Sequence, residues 1–107
     1  MSEFVEFLHE VFVEFGPIRS RKMFGGHGIY HQDLMFGLVA SDELYLKTDK
    51  ESASLFEELG LGPFEFKTKD KVIKMSYYQA PEAIYDDPEI ARDWAIIAFD
   101  AALRGKK

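Results

Sequence analysis

The chain contains no cysteine among its 107 residues. That absence removes disulfides, thiolate zinc sites, iron–sulfur clusters and thiol nucleophiles together, and it fits a reducing compartment. Long apolar runs are missing as well: the stretch Trp94 to Phe99 falls far short of the roughly 20 residues that a membrane-spanning helix needs. Met1 to Glu14 is acidic and offers no basic n-region, so no leader is read there and a cytoplasmic location is expected. Positive charge is also scarce, with 13 basic residues against 19 acidic ones and a net charge of −6. Such a charge repels phosphate backbones at long range and argues against this chain gripping nucleic acid directly.

What is present describes a globular chain. Hydrophobic residues make up 47% and aromatic residues 15%, enough apolar surface to offset the entropy of ordering. The length suits one core, so residues 1–107 are read as a single domain.

Ser2 to Phe15 has Phe4, Phe7, Leu8, Val11, Phe12 and Phe15 at spacings of three and four, with Glu3, Glu6, Glu10 and Glu14 opposite. This pattern predicts an amphipathic helix capped by Ser2 and stopped by Gly16-Pro17. From Ile18 to Lys47 the period falls to two, which predicts a meander of three or four antiparallel strands joined at Gly25-Gly26, Gln32-Asp33 and Ser41-Asp42-Glu43. Thr48 to Leu59 reads as a short helix with a Thr48/Glu51 capping box, Phe56 and Leu59 on one face, and Gly60 just past its end. Phe64 to Thr68 and Val72 to Tyr78 form a second hairpin about Lys69-Asp70-Lys71. A long helix starts at Asp87-Pro88 and ends near Arg104-Gly105, with Ile90, Trp94, Ile97 and Ala101 on one stripe. Ala91, Ala95, Ala98 and Ala102 would let that helix approach the sheet or a twin subunit closely. The class is therefore α+β, a largely antiparallel sheet with helices on one side.

Chemistry-bearing constellations do not emerge from this pattern. Gly25, Gly26 and Gly28 lie between two strands, not between a strand and a helix, so they read as a structural corner instead of a phosphate cradle. His27 and His31 stand about 13 Å apart along a strand, too far to share one metal ion, so no metal site is assigned. Ser20, Ser41 and Ser76 lack the strained elbow of a hydrolase nucleophile, and Asp87 is accounted for as a helix cap. No catalytic residue and no cofactor is assigned. Charge is uneven, however: Arg19, Arg21 and Lys22 fall in one strand and Lys67, Lys69, Lys71 and Lys74 in the later hairpin, while the helical segments are acidic. Edge strands protected by lysine would account for this pattern, and so would a basic face interleaved with Tyr77 and Tyr78 that meets an acidic protein surface or RNA.

The ordered string Arg21-Lys22-Met23-Phe24-Gly25-Gly26-His27-Gly28-Ile29-Tyr30, Leu44-Tyr45-Leu46-Lys47, Pro63-Phe64 and Met75-Ser76-Tyr77-Tyr78 resembles the N-terminal domain of the TfoX/Sxy family. That resemblance implies an α-β(3)-α-β(2)-α order similar to secretion-chaperone-like folds. It also implies a bacterial cytosolic protein linked to transcriptional regulation of competence and DNA uptake, acting with a cyclic-AMP-receptor-type activator and carrying no enzymatic activity or cofactor. Full regulators of this kind have a second, C-terminal domain, whereas this chain ends at Lys107. Gln32-Asp33 stands where the family commonly has Asp-Gly, and His27 where it has an aromatic or aliphatic residue.

The expectation is thus a non-enzymatic protein-interaction module that meets a protein partner, a cyclic-AMP-receptor-type activator or RNA polymerase, through Arg19, Arg21, Lys22, Tyr77 and Tyr78. Met23, Phe24 and Met75 are expected in the core. The alanine-rich last helix and the free sheet edges leave homodimerisation open. The competing expectation is a small-ligand or enzymatic cleft near Gly25-Gly26 with His27 and His31.

Overall fold

The computed structural model describes residues 3–23, 25–67 and 69–106, leaving aside the side chains of Phe66 and Ile73. Ser2 as a helix cap, Phe24 as a core residue and Thr68 as a strand end lie outside the described residues. The elements are α1 (Glu3–Val11), β1 (Arg19–Met23), β2 (Gly26–His31), β3 (Leu34–Ala40), β4 (Glu43–Lys47), α2 (Ala53–Glu57), β5 (Pro63–Lys67), β6 (Val72–Gln79), a 3-10 turn (Glu82–Tyr85) and α3 (Pro88–Gly105). All strand pairs are antiparallel and the sheet order is β1-β2-β3-β4-β6-β5. The fold is α+β. Four strands precede α2 where the resemblance implied three, because Arg19–Met23 pair along their whole length with Gly26–Tyr30.

Two tight turns set the meander. His31 pairs with Leu34 and Ala40 with Glu43, so only Gln32-Asp33 and Ser41-Asp42 remain as loops. All four loop residues have positive φ, between 51° and 65°. Two-residue loops of this hand match the twist of the flanking strands, and polar residues fill them in place of the usual glycine. Glu43, expected in the connection, belongs to the strand.

A bulge then aims the side chains of β3. The partner of Ile29 is Gly37 and that of Tyr30 is Met35, so Phe36 is the extra residue. Phe36 and Val39, three residues apart, consequently both enter the core beside Ile29, Leu44 and Leu46. A strict alternation would have placed one of them on the opposite face.

Helices cover this inner face. Val5, Leu8, Val11 and Phe12 form the buried stripe of the first segment, while Phe7 is 40% exposed and lies against Tyr85. Helix α1 stops at Val11, earlier than its pattern predicts. Beyond it, Phe15 and Gly16 donate to the Phe12 carbonyl in successive turns, bringing Phe12 and Phe15 onto Phe36 at ring separations of 5.6 and 5.2 Å.

Helix α3 starts as expected, with the Asp87 carboxylate accepting from Glu89 N–H at 2.9 Å and Pro88 in the first turn. Its buried line is Ala91, Ala95, Ala98, Ala101 and Ala102, laid on β3 and β4. Ile90, Trp94 and Ile97 flank that line half-buried, so the stripe read from the larger residues is offset from the true contact.

The predicted Thr48/Glu51 capping box does not form. Asp49 instead accepts from the N–H groups of Glu51 and Ser52, and α2 is one turn long. Phe56 is fully buried but Leu59 is 56% exposed: it lies in the turns beyond α2, which end at Gly60 with φ +77° where Leu61 N–H returns to the Phe56 carbonyl. Arg104 at the end of α3 donates to the Asp49 carboxylate and pairs with Glu51 at 2.8 Å, tying the last helix to this loop.

Candidate interaction face

The strand registers divide side chains between two faces. Ile29, Val39, Leu44 and Leu46 look into the helices. Their neighbours Tyr30, Met35, Leu38, Tyr45 and Tyr77 look the other way and take no part in the core cluster. Phe64 joins them, its ring 5.0 Å from Tyr45. Among the described residues, no helix covers this second face. It is a sheet surface of half-buried aromatic and thioether side chains packed around the buried Leu38, with Met75 38% exposed at one side.

Arg19 and Arg21 edge this surface from β1, opposite Tyr30 and Gly28 respectively. Lys47 sits within it: its ammonium donates to Ser76 Oγ at 2.7 Å and lies 5.1 Å from the centre of the Tyr77 ring. Burial first, then the neighbouring Tyr30, raises the Tyr77 phenol above its ordinary pKa. Burial first, then Glu43, raises Tyr45. With their pKa values raised, the Tyr45 and Tyr77 phenols are protonated at neutral pH and can donate to carboxylate or phosphate oxygens. The acidic residues of α1 lie across the molecule on the helical layer.

At the β1 edge the surface dips into an open concavity of about 430 Å³ lined by Arg19, Ser20, Arg21, Tyr30 and Asp33. Arg19 meets Asp33 at 3.9 Å with both side chains more than four-fifths exposed (83% and 91%), a pairing of little energetic consequence. Arg21 forms no ion pair with the described residues.

The structure brings Arg19, Arg21 and Tyr77 to one face. Lys22 and Tyr78 fall on the other side of their strands, because neighbours in a strand point oppositely. Lys22 is exposed opposite His27. Tyr78 lies against Phe56 at 5.8 Å and donates its hydroxyl to Glu57 at 2.7 Å, a bond that raises its pKa ahead of burial. Met23 and Met75, expected in the core, are on the open face. Sequence reasoning missed Tyr30, Met35, Leu38, Tyr45 and Phe64. A signal existed in Leu44-Tyr45-Leu46, where both alternating sets are apolar, a pattern of strands that meet apolar partners on both sides.

The glycine corner is built for close approach. A Cβ on Gly26 would stand 2.1 Å from the Val39 carbonyl oxygen, and one on Gly28 would meet Met23, Tyr30 and Met35 at 3.0 to 3.1 Å. Gly25 makes the turn with φ +78°. His31 is occupied locally, its Nδ1–H donating to the Pro17 carbonyl at 2.7 Å and its ring lying on Phe15 and Phe99. His27, half-buried on β2, pairs in register with Val39. Among the described residues no three His, Asp or Glu side chains gather as metal ligands, and no helix is long and apolar enough to cross a membrane.

Set beside known proteins, residues 10–102 match the family described as the TfoX N-terminal domain. The chain belongs to that family. It is 32% identical over 88 residues to "DNA transformation protein TfoX1" of Aliivibrio fischeri, covering 82% of this chain and 42% of that protein. It is 25% identical over 97 residues to "Protein Sxy" of Escherichia coli K12, covering 91% of this chain and 46% of that protein. The chain thus spans less than half the length of either curated relative. The TfoX N-terminal match takes in the whole meander, both halves of the second hairpin and most of α3, and so includes every residue of the open face described above.

Proposed function

We propose that this chain is a non-enzymatic docking module that works in the cytoplasm in the regulation of competence and DNA uptake, and that a protein partner binds its open sheet face. The supporting observation is that one face of a six-stranded sheet carries Tyr30, Met35, Leu38, Tyr45, Phe64 and Tyr77 with no helix among the described residues over them. These side chains are half-buried, Leu38 more deeply, and Met75 beside them is exposed, so a partner laid on the face would remove apolar surface that the fold leaves in water. Aromatic, Met and Arg side chains are the types enriched at protein contacts, and a standard contact removes roughly 800 Å² per partner. The name of the TfoX1 relative supplies the process; a cyclic-AMP-receptor-type activator and RNA polymerase are the partners to try first.

The test is direct capture of each purified partner by the tagged chain, compared with the variant Met75→Glu, which puts a charge at an exposed point of the face. Retention by the wild type and loss in the variant is expected. Equal retention, or none by the wild type, refutes the reading, as does self-association that buries the face completely.

A further inference from the structure

Strands β1 and β5 are the two ends of the sheet, so each has one row of backbone N–H and C=O groups with no neighbouring strand among the described residues. The two edges are not equivalent. Strand β5 opens with Pro63, which lacks an N–H, and its pairing with β6 is interrupted between Pro63 and Glu65. Strand β1 has no proline and no bulge, and its register with β2 is continuous from Arg19 to Met23. It is a straight template with room for a strand of about five residues.

Its side chains select what can pair with it. The sequence Arg-Ser-Arg-Lys-Met puts Arg19 and Arg21 on the open face roughly 7 Å apart, each able to reach a residue of an added strand. Beside them lies the concavity lined by Arg19, Ser20, Arg21, Tyr30 and Asp33. A second copy pairing β1 antiparallel to β1 would set Arg21 opposite Arg21, or Arg19 opposite Arg21, according to register, and like charges across a ladder are destabilising. Nucleic acid would leave the backbone edge unused and would meet a chain of net charge −6. An extended peptide with carboxylates at every second position satisfies both the backbone groups and the guanidiniums.

We propose that β1 is a strand-addition site for an extended acidic segment of a protein partner. The inference rests on the docking-module reading and names the chemistry of the partner at one edge of the same face. Backbone hydrogen bonds supply affinity and the alternate carboxylates supply specificity, as in other cases of β-augmentation.

The probe is a fluorescein-labelled peptide Gly-Ser-Glu-Val-Glu-Thr-Glu-Val-Gly-Ser, followed by anisotropy. Saturable binding is expected, weakened about tenfold or more by the double variant Arg19→Glu/Arg21→Glu, the scale of one or two lost charge-assisted hydrogen bonds. A peptide with Lys for Glu should reverse that preference, and one with Pro in place of Val should not bind. Hydrogen exchange on the wild-type chain, which needs no variant to fold, should show added protection confined to β1. Absence of saturable binding, indifference to charge reversal or to proline, or equal displacement by oligouridine each overturns the proposal. Capture of an activator or polymerase that survives Arg19→Glu/Arg21→Glu would leave the docking reading standing and strand addition refuted.

Discussion

Replacing Gly26 by alanine tests whether the glycine corner is architecture. The added Cβ would lie 2.1 Å from the Val39 carbonyl oxygen, 3.3 Å from its carbon and 3.6 Å from the Ala40 Cα. Ordinary carbon–oxygen contact is more than an ångström longer than the first of these. All three neighbours are backbone atoms, so no side-chain rotation relieves the overlap; the start of β2 has to move off β3. Overpacking of this kind costs about 1–3 kcal/mol, and stiffening of the unfolded chain returns about 0.4–1 kcal/mol, which leaves a net loss of about 1.3 kcal/mol at the middle of both ranges. In a domain of this size that lowers Tm by roughly 5–10 °C.

Urea denaturation followed by circular dichroism reads the change as a shift of midpoint at constant slope. Gly62→Ala is the control, because a Cβ there meets nothing within 4 Å and its φ is ordinary; its stability should stay within about 0.5 kcal/mol of the parent. Gly25→Ala separates backbone strain from crowding, having φ +78° but open space, and should cost about 1 kcal/mol. If Gly26→Ala proves as stable as Gly62→Ala, the corner is not held by close approach and the argument for it fails.

Three further outcomes are expected. The Tyr85 phenol is pushed up to about 12, by burial first and then by Glu43 and Glu82. Its contribution is whole below the unfolded value near 10 and declines as pH rises from there toward 12. Alkaline titration of stability should therefore show a fall on the order of 1 kcal/mol, allowing for its partial exposure, that Tyr85→Phe abolishes. Asp49 behaves oppositely: the Arg104 hydrogen bond, with help from Ser52 and Glu51, holds its carboxyl down at about 2. Stability from this group is present above pH 4 and is lost as pH falls toward 2, a dependence that Asp49→Asn should flatten in an acid melting series. Replacing Gln32-Asp33 with Asn-Gly should raise stability by about 1 kcal/mol in thermal melts, since both native residues hold positive φ (51° and 65°) that the new pair adopts with less strain.

The elements were legible where one strong local signal sets them. Asp87-Pro88 starts α3, and the paired polar residues close both tight hairpins. What depends on register was not legible. Nothing in Met35-Phe36-Gly37-Leu38-Val39 announces the bulge that sends Phe36 and Val39 to the same side, because it arises from pairing with Ile29. The first helix stops short of its periodic pattern because Phe12 and Phe15 are drawn onto Phe36, a tertiary contact. The candidate surface shows the same division. Tyr77 and Tyr78 are adjacent in a strand and cannot share a face, as strand geometry alone requires. Which of them meets the helices is decided by Tyr78 pairing with Leu46.

The alanine line of α3 has a consequence for how this protein can recognise anything. Five methyl groups, all but one entirely hidden, separate that helix from β3 and β4. A small molecule finds no gallery between layers set that near, and opening one would mean prising the longest helix from its seat. On the docking-module reading a guest is met at the outer skin, where it can come and go while the fold beneath stays shut.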